Sequence, residues 1–270
     1  MTSEPPPPLD VEALRTALTP EQGWYRRIDV QPVTGSTNAD AADAARAGAP
    51  EGTVVTAEHQ THGRGRLDRT FSIPARSGIA VSVVLRPDAV PAGRWVWLPL
   101  LAGLALDDTL RDLGVDGRLK WPNDVLVDGR KISGILLERV ETPQGPAAVV
   151  GIGLNVLLTP DQLPVPTATS LAIAGATDLD RTAITISLLR HLARHYRAWV
   201  AAAGVADPGL RGDYVARCDT VGRQVDVAMP DGSVLSGTVG TVDGSGRLVV
   251  DGTAVSAGDV THVRPRRTEP

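Results

Sequence analysis

The feature that most constrains the fold is a set of strand-like segments in the middle of the chain. Val125-Leu126-Val127 precedes Asp128-Gly129, and Asp-Gly after an apolar run is a strong signal for a two-residue hairpin turn. The segment at residues 131–138 is therefore expected to return beside the first strand. Residues 147–155 can pair with it in turn, across a connection that contains proline and glycine. The sequence thus predicts neighbouring, hairpin-connected strands in one sheet.

Further strands and helices are predicted on both sides of this region. The apolar runs at residues 28–30, 53–57 and 78–86 are typical of strands, and the last two of buried strands. Helical patterns occupy residues 9–18, 39–47, 95–113 and 180–202. The first helix and the early strand at Ile28 leave no room for a helix-turn-helix module, so DNA binding is not expected.

The composition of the chain changes near Cys218. From Val221 to Val263 valine alternates with polar residues, and turn signals interrupt the pattern at short intervals. Short strands with turns this close predict a small antiparallel barrel. We therefore expect a proline-rich lead-in with a short helix at residues 1–25, a main domain at residues 26–217, and a C-terminal barrel with a tail at residues 218–270.

Composition excludes some classes of protein. The 270 residues are 42% hydrophobic and 21% charged, as in a soluble globular protein. A net charge of −4 lacks the excess of positive charge that is typical of nucleic-acid-binding proteins. No apolar stretch reaches about 18 residues, so no membrane span is expected. The single cysteine, Cys218, cannot form an internal disulfide, which favours a cytoplasmic location.

A loop rich in glycine and arginine follows the strand at residues 53–57. Its core is Gly63-Arg64-Gly65-Arg66, with Arg69 three residues further on. Glycine allows the backbone to approach a ligand closely, and arginine offers a planar set of donors to phosphate or carboxylate. Two interpretations follow: the loop closes over an anionic ligand, or it is a solvated surface turn.

Small polar residues precede the alanine-rich helix at residues 39–47. Ser36, Thr37 and Asn38 are each able to cap it, but a helix start with spare hydroxyls also suits an anion or amide ligand. On this motif alone, cap and ligand site stay open. Further along, Gly151 and Gly153 point to one face of a strand, which leaves either a groove for a flat ligand or a close helix crossing.

Histidines and nucleotide-binding patterns give weaker signals. His191 and His195 have the spacing of a zinc pair, but without the glutamate of H-E-x-x-H we interpret both as structural, and no metal site is assigned. Neither a phosphate-binding G-x-x-x-x-G-K-[ST] loop nor a complete dinucleotide fingerprint is present.

Four separated elements together resemble the biotin protein ligases. They are Thr34-Gly35-Ser36-Thr37-Asn38, the Gly63-Arg64-Gly65-Arg66 loop, Lys120-Trp121-Pro122-Asn123-Asp124, and Lys131-Ile132-Ser133-Gly134-Ile135-Leu136. Gly151-Ile152-Gly153-Leu154-Asn155 and Ala168-Thr169-Ser170-Leu171 continue the match, which covers roughly residues 28–267. The resemblance is to the short class, without an N-terminal DNA-binding domain.

The resemblance implies an α+β fold of the class II synthetase-like biotin/lipoate ligase type. A mixed central sheet with helices on one side is followed by an SH3-like barrel. It also implies an ATP-dependent ligase that forms biotinyl-5′-AMP and transfers biotin to one lysine of a biotin carboxyl carrier domain of acyl-CoA carboxylases. Biotin and ATP are then the substrates, Mg²⁺ arrives bound to ATP, and no permanently bound metal is expected. A monomer and a homodimer are both compatible with the family.

Site residues follow from the same match. Lys131, Arg64, Arg66 and Asp124 are the catalytic candidates, with Asp124 either a base or an orienter of magnesium. Biotin is assigned to Ser36, Thr37, Asn38, Gln60, Gly63, Gly134, Gly151 and Gly153, and the nucleotide to Arg69, Phe71, Lys120, Trp121, Asn123 and Asn155. Phe71 is a departure, since many relatives carry tryptophan there. The alternatives are a lipoate ligase or octanoyl transferase of the same fold, and a non-catalytic biotin- or nucleotide-binding regulator.

Overall fold

A seven-stranded mixed sheet forms the centre of the computed structural model, which describes residues 5–19, 23–66, 70–229, 231–256 and 259–262. The strands are β1 (Arg27–Gln31), β2 (Thr53–Ala57), β3 (Gly78–Leu85), β4 (Arg118–Lys120), β5 (Asp124–Val127), β6 (Arg130–Val140) and β7 (Ala147–Asn155), in the order β1-β2-β3-β7-β6-β5-β4. β1 pairs with β2 in parallel, and the other neighbours are antiparallel.

The predicted hairpin joins β5 to β6. Asp128 and Gly129 both have positive φ, +50° and +71°, which is the conformation of the type I′ turn that Asp-Gly favours. β6 then pairs with β7 over eight residue pairs, from Ser133–Leu154 to Val140–Ala147. The antiparallel segments predicted from the sequence are confirmed in position and pairing.

In the part of the chain that the structure describes, five α-helices accompany the sheet. They are α1 (Val11–Leu18), α2 (Thr37–Arg46), α3 (Trp97–Asp112), α4 (Arg181–Ala201) and α5 (Pro208–Arg217). Asp10 caps α1 by accepting a hydrogen bond from the Ala13 amide at 2.9 Å, and Asp180 caps α4 from the Thr182 amide at 2.8 Å. α2 begins two residues earlier than predicted, so Thr37 and Asn38 lie within its first turn. No helix among the described residues is long and apolar enough to cross a membrane.

Helices lie on both faces of the sheet, so the expectation of helices on one side was wrong. Because successive strand residues face opposite sides, Val54 packs in the core with α1, α3 and α4, while Val55 packs with Ala41 and Ala45 of α2. β2, β3 and β7 are buried along their whole length, as strands covered on both faces are. α2 is short, however, so part of the sheet face on which it packs is not covered by a helix.

The C-terminal region forms a five-stranded antiparallel sheet. Its strands are β8 (Gln224–Ala228), β9 (Val234–Val242), β10 (Leu248–Val250), β11 (Thr253–Val255) and β12 (Asp259–His262), in the order β11-β10-β9-β8-β12. Two buried tryptophans, one at the start of α3 and one directly after β4, attach it to the rest of the protein: Trp97 Nε1 donates to Gly244 O and Trp121 Nε1 to Gly246 O, both at 3.0 Å.

Candidate active site

An open cavity of about 1280 Å³ lies on the face of the central sheet that α2 covers in part, next to the start of that helix. Its floor is formed by β3, β6 and β7, and one wall by the glycine-arginine loop. The segment at residues 164–168 and four residues of the C-terminal region close the other sides. Those four residues are Asp219, Arg223, Thr261 and His262.

The polar start of α2 forms one end of the cavity. Ser36 occupies the N-cap position without a side-chain capping bond, and its side chain lines the cavity. The amide N and Oγ1 of Thr37 both donate to Gln60 Oε1, at 2.8 and 3.0 Å. The buried Ser82 Oγ lies 2.9 Å from Thr37 Oγ1 and 2.7 Å from Asn38 Oδ1. These side chains therefore make tertiary contacts at the cavity rather than caps.

Of the two interpretations of Gly151 and Gly153, an open groove and a close helix crossing, the structure agrees with the close crossing. A Cβ at position 151 would collide with the Asn38 amide, and one at position 153 would lie 2.5 Å from the Phe71 ring. The chain's own side chains fill this space, because α2 and the loop cross β7 closely. On the neighbouring strand, a Cβ at Gly134 would lie 3.1 Å from Lys131 Nζ.

A lysine and a carboxylate meet beside that glycine. Lys131 Nζ lies 2.6 Å from Asp124 Oδ1, and the two side chains are 43% and 19% exposed. Asp124 faces Gly134 across the β5–β6 pairing. The Lys131 amide donates to Thr167 O at 2.8 Å, and its carbonyl accepts from the Thr169 amide at 2.8 Å. The backbone of Lys131 is thus fixed while its charged end faces the cavity.

The glycine-arginine loop is closed at its base. Arg64 forms an isolated antiparallel bridge with Thr70, and the Phe71 amide donates to Gly63 O at 2.8 Å. Arg64 Nη1 lies 3.1 Å from Glu138 Oε1. Arg66 Nη1 donates to Asn123 Oδ1 at 3.0 Å. Arg69, assigned to the nucleotide from the sequence, lies outside the described residues.

Two predicted contact residues are not on the cavity wall. Trp121 is 1% exposed, and its indole points to the C-terminal sheet. Gly63 is buried against the Phe71 carbonyl, with which a Cβ would collide. The prediction that either residue touches a ligand is therefore not supported, because packing occupies both. Lys120 and Asn123, on either side of Trp121-Pro122, do line the cavity.

Asn123 and Asn155 are both held by the backbone. Asn123 Nδ2 donates to Ile135 O at 2.9 Å, and Asn155 Nδ2 to Thr169 O at 2.9 Å. Asn155 Oδ1 is buried and has no hydrogen-bond partner within the described part of the chain. Since a buried polar atom without a partner is costly, this oxygen is a candidate acceptor for a donor on a ligand.

Sequence reasoning missed the residues that distant segments bring to the site. Glu138 lies two places beyond Leu136 on the cavity face of β6, so the period of two from Gly134 was an available signal. Nothing local indicated Arg223 or His262. Burial lowers the pKa of His262, as do the nearby charges of Lys120 and Arg223, and Asp219 opposes them.

The two histidines of α4 lie away from the cavity. His191 Nε2 lies 2.8 Å from Asp112 Oδ2, and His195 Nε2 lies 2.6 Å from Asp108 Oδ2. They join α4 to α3. The described ranges contain no group of three or more His, Cys, Asp or Glu side chains placed to hold a metal ion.

Solved structures share this fold. The biotin protein ligase from Aquifex aeolicus in complex with biotin and ATP superposes with a TM-score of 0.75, covering 89% of this chain and all of that one at 23% identity. At that identity the likeness shows the fold, an α+β architecture with a mixed central sheet.

Sequence relatives define the family. The model of the Biotin/lipoate A/B protein ligase family matches residues 30–155. The biotin--[acetyl-CoA-carboxylase] ligase of Mycobacterium tuberculosis is 42% identical over 267 residues, which are 96% of this chain and 97% of the relative. The enzyme of the same description from Paracoccus denitrificans is 34% identical over 82% of this chain and 92% of its own. The chain belongs to the biotin protein ligase family.

Proposed function

We propose that this protein is an ATP-dependent ligase that forms biotinyl-5′-AMP and transfers biotin to a lysine of a carrier domain of acetyl-CoA carboxylase. The observation that carries the proposal is one cavity with a lysine–carboxylate pair in its floor, two arginines in a loop above it, and a polar amide–hydroxyl end. The names of the relatives support the same substrates. The fold is shared with a ligase that has biotin and ATP bound.

Biotin would occupy the α2 end of the cavity. Its ureido head needs donors and acceptors at the end of an otherwise apolar slot. Ser36, Thr37, Asn38 and Gln60 offer hydroxyl and amide groups there, all on buried side chains. Gly134 and Gly151 lie on the floor beneath, so the carboxylate of a ligand seated this way extends towards Lys131.

The first step joins two anions. An oxygen of the biotin carboxylate bonds to the α-phosphorus of ATP, and the bond to the bridging oxygen breaks and releases pyrophosphate. Lys131 would sit between carboxylate and α-phosphate and offset their repulsion, as preorganised cations do in phosphoryl transfer. Arg64 and Arg66 would bind the phosphates from the loop, which also shields the mixed anhydride from water.

The nucleotide would lie between the loop and the C-terminal region. Lys120, Asn123, Phe71 and Asn155 all line that part of the cavity, and Arg69 is assigned there only by resemblance. Phe71 can stack on adenine but has no N–H to donate. Asp124 offers a carboxylate, and Mg²⁺ is usually bound by one or two carboxylates together with the phosphates of the substrate. Magnesium, when bound, would neutralise part of the phosphate charge.

The second step transfers the acyl group. The neutral amine of the acceptor lysine bonds to the acyl carbon, the bond to AMP breaks, and the amine nitrogen loses a proton. Asp124 would accept that proton, as an alternative to orienting magnesium. In this proposal the five-stranded C-terminal sheet is an SH3-like barrel that contributes to ATP or carrier binding, and the ligase acts as a monomer or a homodimer.

Transfer to a carrier tests the proposed function. The purified protein is mixed with ATP, Mg²⁺, biotin and an isolated carrier domain, and the carrier mass is followed. We expect one biotin per carrier, and none on a carrier whose acceptor lysine is replaced by arginine. Transfer of lipoate or octanoate instead of biotin would refute the substrate and favour the sister enzymes. An unmodified carrier with all three acids would favour a binding protein.

A further inference from the structure

A continuous series of polar contacts crosses the cavity floor. It begins at Gln60, whose Oε1 accepts from Thr37, and passes through the fully buried Ser82 to the Asn38 amide. Asn38 Nδ2 then donates to Glu138 Oε2 at 2.8 Å. The series therefore connects the α2 end of the cavity to β6.

Glu138 extends this series to the glycine-arginine loop. Its Oε1 lies 3.1 Å from Arg64 Nη1, and its Oε2 accepts from Arg64 Nη2 at 3.4 Å. One carboxylate therefore holds both a buried amide and a loop arginine. The Glu138 side chain is 28% exposed and is not part of the cavity wall, so its influence on a ligand passes through Asn38 and Arg64.

Asn38 and Arg64 interact with different properties of the Glu138 side chain, one with an acceptor oxygen and the other with its negative charge. Asn38 needs only an acceptor, because its Oδ1 already faces Ser82 and its Nδ2 also reaches Leu136 O at 3.4 Å. Arg64 faces both carboxylate oxygens, the arrangement in which a planar guanidinium gains most from a negative charge. A glutamine at position 138 would therefore keep one acceptor for Asn38 and lose the charged, two-point contact to Arg64.

We propose that Glu138 is a positioning residue that couples occupation of the α2 end of the cavity to the seating of Arg64. Asn38 covers Gly151, so a ligand at this end presses on a side chain that Glu138 holds. The same carboxylate sets where the Arg64 guanidinium lies above the floor. The inference rests on the proposed function in that the ligands it couples are biotin and the adenylate.

The contact itself can be tested without any substrate. Trypsin cleaves after arginine only when the side chain is released, so Glu138→Gln should speed cleavage after Arg64. An ion pair between half-exposed groups predicts an acceleration of about two- to fivefold. The matched control is Glu141→Gln, which breaks the exposed Arg139–Glu141 pair at 2.9 Å just beyond β6. Fragment masses give the rates, and equal cleavage after Arg64 in the two variants would overturn the proposal.

A second variant keeps this test decisive if Glu138→Gln folds poorly. Arg64→Gln breaks the same pair from the exposed loop and leaves Asn38 untouched. It should speed cleavage after Arg66 relative to the wild type, and an unchanged rate would count against the proposal.

Coupling is tested by a double-mutant cycle on release of the adenylate. Glu138→Gln should speed dissociation of biotinyl-5′-AMP by about two- to fivefold, and should add nothing in an Arg64→Gln background. A purely structural role for Glu138 would instead give independent, additive effects, which would overturn the inference. If the wild type forms no adenylate, the proposed function fails, and the proteolysis result still decides whether Glu138 holds Arg64.

Discussion

Replacing Arg181 by methionine should destabilise the protein strongly. Arg181 begins α4, and its side chain is 3% exposed. Its Nη2 lies 2.8 Å from Glu58 Oε2 and donates to Pro7 O at 2.7 Å, while Nη1 donates to Gly78 O at 3.3 Å. Methionine keeps the apolar stem but removes every one of these donors.

The magnitude follows from what remains buried. The Glu58 side chain is 10% exposed and, among the residues that the structure describes, would keep only the Leu9 amide as a partner. Breaking a buried ion pair from one side costs about 3–5 kcal/mol, because the remaining charge is uncompensated. For a chain of this size that corresponds to a Tm lower by about 10 °C. Replacing both Arg181 and Glu58 by methionine should recover more than half of the loss, since the buried charge is then absent.

Urea unfolding at pH 7 and calorimetry measure these losses. The matched control is Arg27→Gln, whose partner Asp29 lies 2.9 Å away on the surface, and which should cost less than about 1 kcal/mol. A loss below about 1 kcal/mol in Arg181→Met, or a double variant no more stable than the single one, would refute the reasoning.

Three further predictions concern the site and its surroundings. Lys131→Ala should lower biotin-dependent adenylation by about 10²–10³-fold, the usual cost of one electrostatic stabiliser, with an unchanged circular dichroism spectrum; near-normal turnover would remove its assigned role. Gly151→Ala should displace Asn38 and weaken biotin binding by about tenfold, since overpacking costs ~1–3 kcal/mol; calorimetric titration showing wild-type affinity would contradict this. Burial lowers the pKa of His195, and Asp108 opposes it, so the unfolded chain binds the proton more readily and stability falls as pH drops below about 6.5. His195→Gln should reduce the loss of unfolding free energy between pH 7 and pH 5, and an equal loss in both proteins would contradict the assignment.

Features that depend on nearby residues were predictable from the sequence. The Asp128-Gly129 turn requires only two residues able to adopt positive φ, so β5 and β6 could be paired in advance. α4 was recognised from its apolar spacing, and in the structure Asp180 caps its start.

Features that depend on distant packing were not predictable. At Gly151 and Gly153 the sequence left both a groove and a close helix crossing open. Their neighbours above the sheet, Asn38 and Phe71, are set by how α2 and the loop cross β7. Trp121 stands within a motif of binding residues, but its partner is Gly246, 125 positions further on. The residues around Trp121 in the sequence do not indicate that contact.

The most direct test of the account is pyrophosphate exchange into ATP with no carrier protein present, supplying biotin, lipoate or octanoate in turn. A cavity with Lys131 between a carboxylate and an α-phosphate predicts exchange with biotin and none with the other two acids. Exchange with lipoate would place the protein with the sister enzymes, and no exchange with any of the three would contradict the proposed adenylation chemistry.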